Sequence, residues 1–318
     1  MTNLKQNRKP LTINECWLFA IVSKVDLARR LSSESLKITV ADLERLASDA
    51  GNFRLFTIRQ GNKDRAVQEP KHQLQKLHSR IHKLLSRVQV PEYLHSAVKG
   101  RSYLTNARVH NLDAPTIKID VKKFFQSVSR QAVFRFFLEV LECRRDVAGM
   151  LADLLTFDAR LPTGSSASPI IAYYSFKPMF DALAALANQN DLKMTCYVDD
   201  ITMSGDVAGR AILYAAHKII SGSGLKSHKM KVFSRNSSKI ITGVCNTPSG
   251  EKVPNKLHLK IKQGVDAFHN ADTVELANEI VGPLLGRLEA ARQLDSIFGA
   301  RAKTLRAQMK AQQRAIQK

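Results

Sequence analysis

The sequence is short of acidic residues. Of 318 residues only 28 are Asp or Glu, against 49 Lys or Arg, which leaves a formal net charge of +21 and a pI near 10.0. A compact fold with that excess repels itself and is tolerated best beside a polyanion. Nucleic acid is therefore the leading partner and an anionic membrane surface the second. Cysteine is scarce as well. Cys16, Cys143, Cys196 and Cys245 lie far apart with no Cys-x-x-Cys pair, which argues against structural zinc and a disulfide framework and predicts four reduced core thiols. No apolar run approaches the ~18 residues of a membrane span. The opening stretch MTNLKQNRKP is basic and polar, without the apolar core of a secretory signal. These absences predict a cytoplasmic protein with no membrane partner. Internal repeats and low-complexity linkers are absent too.

Periodicity divides what is present. Residues 12–50 read as two or three helices, with helical apolar spacing through WLFAIVSKVDLARRL and a glycine stop after ITVADLERLASDA. FRLFTI and RAVQE read as short strands around a GNKD turn, and HQLQKLHSRIHKLLSRV as a basic amphipathic helix. TIKIDVKKFF reads as a strand entering a turn, 128–157 as helical, LPTGSSASP as a loop, and PIIAYYSFKPMFDALAALAN as a helix. KMTCYVDDITMSG reads as strand, tight turn, strand; 206–222 as a helix; KVFSRNSSKIITGV as a hairpin; the chain from about 256 as basic helix. The order predicts an α+β core with a helical appendage.

Chemistry concentrates on three aspartates. Asp199 and Asp200 are adjacent between the β-type segments Met194–Tyr197 and Ile201–Met203. Neighbouring carboxylates at a hairpin tip repel each other, and a divalent cation with hard oxygen ligands removes that cost. Asp120 ends the apolar strand Ile117–Ile119 and invites the same explanation. Three such aspartates on neighbouring strand ends suit a two-metal site, which clamps the attacking and leaving oxygens of an in-line phosphoryl transfer. A Tyr-x-Asp-Asp string arises by chance in roughly one chain of this size in thirty. Its company therefore decides: taken alone, Asp199–Asp200 reads equally as a solvated turn and Asp120 as a strand-end cap.

That company resembles the reverse transcriptases, and among them the retron enzymes, over about residues 53–245 and more loosely beyond. IDVKKFFQSV is similar to the first palm motif, LPTGSSASP to the second, YVDD to the third and GLKSHKMKV to the fourth; KIITGV resembles the hairpin before the thumb. RAVQEP and VKGRSYLTNARVH resemble successive fingers segments. Asn106-Ala107-Arg108-Val109-His110 fits the Asn-Ala-x-x-His element of the retron branch, and Ile241-Thr242-Gly243 stands where that branch carries Val-Thr-Gly. Intron-encoded relatives append maturase and endonuclease regions; here about 70 residues follow the palm.

The resemblance implies a right-hand polymerase, α+β, with fingers and an antiparallel palm sheet over 53–245, a helical segment over 1–52 before them, and a basic helical thumb over 246–318. It implies an RNA-directed DNA polymerase with Mg²⁺ (or Mn²⁺) at Asp120, Asp199 and Asp200. Arg65, assisted by Lys63, is the implied triphosphate contact, Phe125 the gate that excludes a ribose 2′-OH, and Lys231 the lysine of the fourth motif. Gly164 is the residue that lets backbone approach a ligand closely. Thr163 stands where most of the family has Gln, and its shorter side chain changes the local nucleotide contact. Asn106 and His110 are the implied RNA-binding residues of the fingers.

In the tail no acidic residue follows Asp295, while Arg301, Lys303, Arg306, Lys310, Arg314 and Lys318 recur at helical intervals. Arg301, Arg306 and Lys310 are thus implied RNA contacts, on phosphates and shape rather than sequence. The retron resemblance further implies a structured non-coding RNA as template and primer, dNTPs as substrates, a branched RNA–DNA product (msDNA), and antiphage defence with a separate effector or toxin protein. Two alternatives stand beside it. One is another bacterial reverse transcriptase, of diversity-generating or abortive-infection type. The other is a catalytically silent module that holds an RNA and restrains an effector.

Overall fold

The structure is a computed structural model that describes residues 9–60 and 63–316. In chain order its elements begin with α1 (Lys24–Leu31), α2 (Val40–Ser48), β1 (Phe53–Gln60), β2 (Lys63–Pro70), α3 (His72–Leu85), α4 (Tyr103–Arg108) and β3 (Thr116–Val121). There follow α5 (Phe124–Ser127), α6 (Arg130–Arg135), a π turn (Phe136–Val140), α7 (Arg145–Leu155), α8 (Ser168–Ser175), α9 (Lys177–Gln189), β4 (Lys193–Tyr197), β5 (Asp200–Ser204), α10 (Arg210–Gly222) and β6 (Ser227–Phe233). The chain ends with β7 (Lys239–Ile241), β8 (Val244–Thr247), β9 (Gly250–Lys252), α11 (Asn255–His269), α12 (Val274–Arg292) and α13 (Ile297–Ile316). The α+β class is thus observed.

The chain forms two compact units. The first holds the chain up to Ser102 together with Ile117–Val232; the second holds Tyr103–Thr116 and everything from Phe233 onward. These divisions differ from the boundaries at 52 and 245 read from the sequence. Leu27, Leu31, Leu43 and Leu46 of α1 and α2 are buried in one core with Leu74, Leu77 and Ile81 of α3 and with Ile117, Ile119 and Ile201 of the main sheet. Each such buried aliphatic side chain contributes about 1.5–3 kcal/mol, so the N-terminal helices are part of that unit rather than a separate segment.

Local signals explain the helices. The Ser23 hydroxyl accepts the Asp26 N–H at 3.1 Å, starting α1. Thr39 and Asp42 cap α2 reciprocally, with Asp42 N–H donating to Thr39 Oγ1 and Thr39 N–H to Asp42 Oδ2, each at 3.1 Å. In α3 the buried set Leu74, Leu77, His78, Ile81, Leu84 and Leu85 follows helical spacing, leaving Lys76 and Lys83 exposed. The helix expected through 17–31 is confined to α1. Leu18 and Ile21 are fully buried in a turn where Ala20 has φ +50°, so their apolar spacing records burial of a loop. Ala20 N–H donates to Leu141 O at 2.7 Å and Arg144 N–H to Ile21 O at 2.9 Å. That stitching also breaks the expected helix 128–157 between the π turn and α7.

The main sheet has the order β4-β5-β3-β6. β4 and β5 form an antiparallel hairpin in which Tyr197 pairs with Asp200 and Cys196 with Ile201. β1 and β2 make the expected antiparallel hairpin, with Ile58 opposite Arg65 and Leu55 opposite Gln68. The hairpin expected over 231–244 does not form. β6 is claimed by the main sheet, and β7 pairs instead with β8 in the three-stranded sheet of the second unit. Cys16, Cys143 and Cys196 are buried thiols and Cys245 a half-buried one, all free, as expected. Among the described residues no helix is long and apolar enough to cross a membrane.

Candidate active site

The site grows from three strand ends. Asp120 lies near the end of β3 and is 7% exposed. Asp199 and Asp200 sit at the β4–β5 turn, with Asp200 opening β5, the neighbour of β3. Val121 N–H donates to Asp199 O at 2.8 Å, tying that turn to β3. Val198 has φ +61°, an unfavourable conformation for a β-branched residue, worth about 1–3 kcal/mol. Its N–H donates to the Ser96 hydroxyl at 3.0 Å.

Burial first, and neighbouring carboxylate charge second, raise the proton affinity of Asp199 and Asp200. Burial, then the charge of Asp120, pushes Asp199 up to about 6. Burial also raises Asp200, against the pull of the Lys118 ammonium. Lys118 Nζ lies 2.6 Å from Asp200 Oδ2. Lys229 Nζ lies 3.0 Å from Asp120 Oδ2 and His228 Nδ1 3.0 Å from Asp120 Oδ1. Lys118, His228 and Lys229 were not singled out from the sequence as partners of these carboxylates. Lys118 was findable, because residues two apart on a strand share a face and Asp120 follows it at that spacing. The reach of both His228 and Lys229 was not. Lys229 has φ +51°, which breaks the alternation of β6 and lets adjacent side chains address one carboxylate. Lys231, the lysine of the fourth motif, is exposed, as is Lys229, and of the two it is Lys229 that contacts Asp120. Accordingly Lys229→Ala should lower nucleotide addition about 10-fold or more, and Lys231→Ala should stay within about twofold in the same steady-state assay. Equal effects would reverse the assignment.

The residues fit a divalent cation. Oδ1 of Asp200 is buried without a hydrogen-bond partner, and three neighbouring carboxylates repel one another and call for positive charge. Among the described residues no preformed group of three metal-binding side chains is present, and protein cations hold Asp120 Oδ2 and Asp200 Oδ2.

Around this cluster, Phe124 is core, 3% exposed, and Phe125 stacks beside it at 6.3 Å while only half-buried. Phe125 is therefore the less buried ring of the pair. The LPTG loop is bound to β2. Thr163 N–H donates to Gln68 Oε1 at 3.3 Å, and the Thr163 hydroxyl lies 3.3 Å from both Gln68 Oε1 and Ala66 O. Gly164 N–H donates to Gln68 O at 3.0 Å. A Cβ at Gly164 would lie 2.9 Å from that oxygen, so the missing side chain permits close packing of loop on strand. Arg65 is exposed on β2. Lys63 begins that strand, and its side chain lies outside the described residues.

Behind the loop, His78 is fully buried. Its Nε2–H donates to Leu154 O at 2.8 Å and its Nδ1 receives the Ser165 hydroxyl at 2.6 Å. Burial pulls its pKa down to about 4 from the ordinary 6.5. Between those values the unfolded chain binds a proton that the folded one refuses. The stabilisation is therefore complete above pH 6.5 and lost as pH falls toward 4, about 3 kcal/mol in all. Denaturant titrations of wild type and His78→Gln across that window should diverge by most of this amount; parallel pH profiles would refute it.

In the second unit Asn106 and His110 are 0% and 1% exposed, which corrects their expected RNA contact: buried side chains cannot touch RNA in this conformation. They are structural. Asn106 Nδ2 donates to Thr242 Oγ1 at 3.4 Å, Thr242 Oγ1 to Tyr103 O at 2.7 Å, and Asn246 Nδ2 to His110 O at 3.3 Å. The two retron-like strings, NARVH and ITG, thus meet each other. Arg108 makes a forked pair with Glu251, both contacts 2.8 Å. Arg301 is exposed and lies 5.4 Å over Phe298. Arg306 is engaged by Glu289 at 2.7 Å, so an RNA phosphate would have to compete for it. Lys310 lies on α13, its side chain outside the described residues.

Comparison with known proteins agrees with this geometry. Residues 49–242 match the family described as reverse transcriptase (RNA-dependent DNA polymerase). The Retron Se72 reverse transcriptase of Salmonella heidelberg (strain 579083-10) is 30% identical over 158 residues, covering 49% of this chain and 42% of that protein. The Retron Mx65 reverse transcriptase of Myxococcus xanthus is 30% identical over 210 residues, covering 58% and 49%. The Retron Ec86 reverse transcriptase of Escherichia coli is 25% identical over 230 residues, covering 68% of each. The chain spans about half the length of the first two. Among solved structures, a foamy viral protease–reverse transcriptase in complex with double-stranded DNA is similar at TM-score 0.44 and 16% identity, covering 82% of this chain and 39% of that one. The family match exceeds half the chain and takes in Asp120, the LPTG loop and the Asp199–Asp200 turn; this chain belongs to the reverse transcriptase family.

Proposed function

We propose that the protein is a retron-type RNA-directed DNA polymerase. It copies a cognate structured non-coding RNA into DNA, starting from a 2′-OH of that RNA and leaving a branched RNA–DNA hybrid. The observation that carries the reading is the buried carboxylate cluster of Asp120, Asp199 and Asp200 on adjacent strand ends. Asp120, Asp199 and Asp200 would hold the divalent cations, Mg²⁺ or Mn²⁺. Bound there, such cations would lower the pKa of the primer hydroxyl and neutralise the charge on the departing pyrophosphate. The protein's own groups do the rest. Arg65 pairs with the triphosphate of the incoming dNTP, with Lys63 beside it on the strand. The ring of Phe125 packs on the sugar and leaves no room for a 2′-OH. Lys229 offers a proton donor beside Asp120.

The retron relatives support the template class, and the basic α13 supports an RNA grip through phosphates. We further propose a cytoplasmic complex acting in antiphage defence, in which the RNA–DNA hybrid and this protein restrain a separate effector protein. The test is the nucleic acid that co-purifies when the chain is expressed with its native upstream DNA. After RNase treatment, a denaturing gel should show a discrete small DNA that is absent from the Asp199→Asn, Asp200→Asn double variant. RNA without DNA from the wild type would make the protein a silent RNA-binding module. Phage plating with the same pair of strains tests the defence role.

A further inference from the structure

The turn that presents Asp199 and Asp200 is held from outside the main sheet, by a segment that none of the sequence motifs includes. Residues 93–96 run beside β4 as a short parallel bridge between Leu94 and Cys196. Cys196 N–H donates to Tyr93 O at 2.7 Å, and His95 N–H donates to Cys196 O at 2.9 Å. One residue further on, the Ser96 hydroxyl accepts the Val198 N–H at 3.0 Å. Ser96 is 5% exposed, so no water competes for that contact. The segment is itself fixed: the Arg101 guanidinium donates to the carbonyls of Pro91, Glu92 and Leu94 at 2.7, 3.2 and 2.6 Å.

Val198 is where this brace matters. Its φ of +61° is the conformation that a valine avoids and that a glycine accepts. The backbone on its C-terminal side leads straight into Asp199, so the direction of that carboxylate depends on Val198 staying in the left-handed region. Within the sheet the turn is closed by the Tyr197–Asp200 pair, which leaves the Val198 N–H to find its partner elsewhere. We infer that Ser96 is a positioning residue: its hydroxyl, seated by Arg101, holds Val198 in its strained conformation and thereby aims Asp199 and Asp200 for catalysis. The inference rests on the polymerase reading above.

The experiment is a double-mutant cycle in the full chain, read as kcat and KM for dNTP on a primed RNA template. Ser96→Ala should lower kcat on the order of 10- to 100-fold, as small misplacement of reacting groups does, with KM for dNTP and the melting temperature little changed. Ser96→Thr keeps the acceptor and should restore most of the rate. In a Val198→Gly background, where the backbone accepts φ +61° without strain, Ser96→Ala should cost far less than in the wild type. If Ser96→Ala does not yield folded protein, Ser96→Cys, close in size and a poor acceptor, takes its place in the cycle. Wild-type kcat in Ser96→Ala, or the same loss in both backgrounds, overturns the brace. If the wild type itself adds no nucleotide, the polymerase reading fails first.

Discussion

Asp199→Asn should produce a protein that is more stable than the wild type and unable to add nucleotides. The folded state carries Asp199 in a site where burial and the Asp120 charge lift its pKa to about 6. Keeping that carboxylate ionised at neutral pH therefore opposes folding, and the neutral amide removes the burden. A gain on the order of 2 kcal/mol is expected in chelator-treated buffer, read by denaturant titration at pH 7.5. On the metal role proposed for Asp199, the same change should lower kcat at least about 10³-fold. Adding Mg²⁺ should reverse the order of stabilities, because a ligand bound only by the folded state stabilises it by mass action and the variant binds it less well. A variant less stable than wild type in chelator would mean that the carboxylates are not in conflict. Activity within a few-fold of wild type would mean that Asp199 is not a ligand.

Lys239→Met should unfold the second unit first. Lys239 is fully buried, and its ammonium donates to the carbonyls of Asn111 and Leu112 at 3.0 and 3.1 Å and to that of Ala114. Burial lowers its pKa, with the Asp113 charge opposing. Methionine keeps the length and the apolar stem but leaves three carbonyls without their donor. Stranding buried groups of this kind costs about 3–5 kcal/mol. A thermal melt should show an early transition in the variant, and limited proteolysis should cut the chain beyond Phe233 before the catalytic unit. A single unshifted transition would show that water can replace the ammonium.

The carboxylate cluster of the candidate site was legible in the sequence because its signals are local. YVDD sits between alternating apolar residues that announce a hairpin, and Asp120 closes an apolar strand. Both readings need only short-range periodicity, and the hairpin is found in register. What escaped depends on distant partners or on backbone geometry that residue type does not encode. Lys229 reaches Asp120 only because its φ is positive. Asn106 and His110 look like polar ligands in a loop, yet the three-stranded sheet, more than a hundred residues later, buries them. Lys239 was not singled out, for the same reason, since its carbonyl partners lie more than a hundred residues earlier. The expected 231–244 hairpin failed because two sheets compete for those residues. β3 takes β6 and β8 takes β7, a choice that adjacent alternation cannot express.

The second unit is assembled from Tyr103–Thr116 and the chain from Phe233 onward, with the 116 residues of Ile117–Val232 lying between them in sequence. On a ribosome making about 5–20 residues per second, α4 emerges roughly 7–26 s before the strands that cover it. During that interval Leu104 and Ala107, which end up buried against Ile241 and Val244, are apolar groups without a home. A nascent chain in this state is a natural client for chaperones. A stop codon placed after β6 would not release a working catalytic half; it would release one carrying a permanently bare α4, a candidate for aggregation and rapid proteolysis.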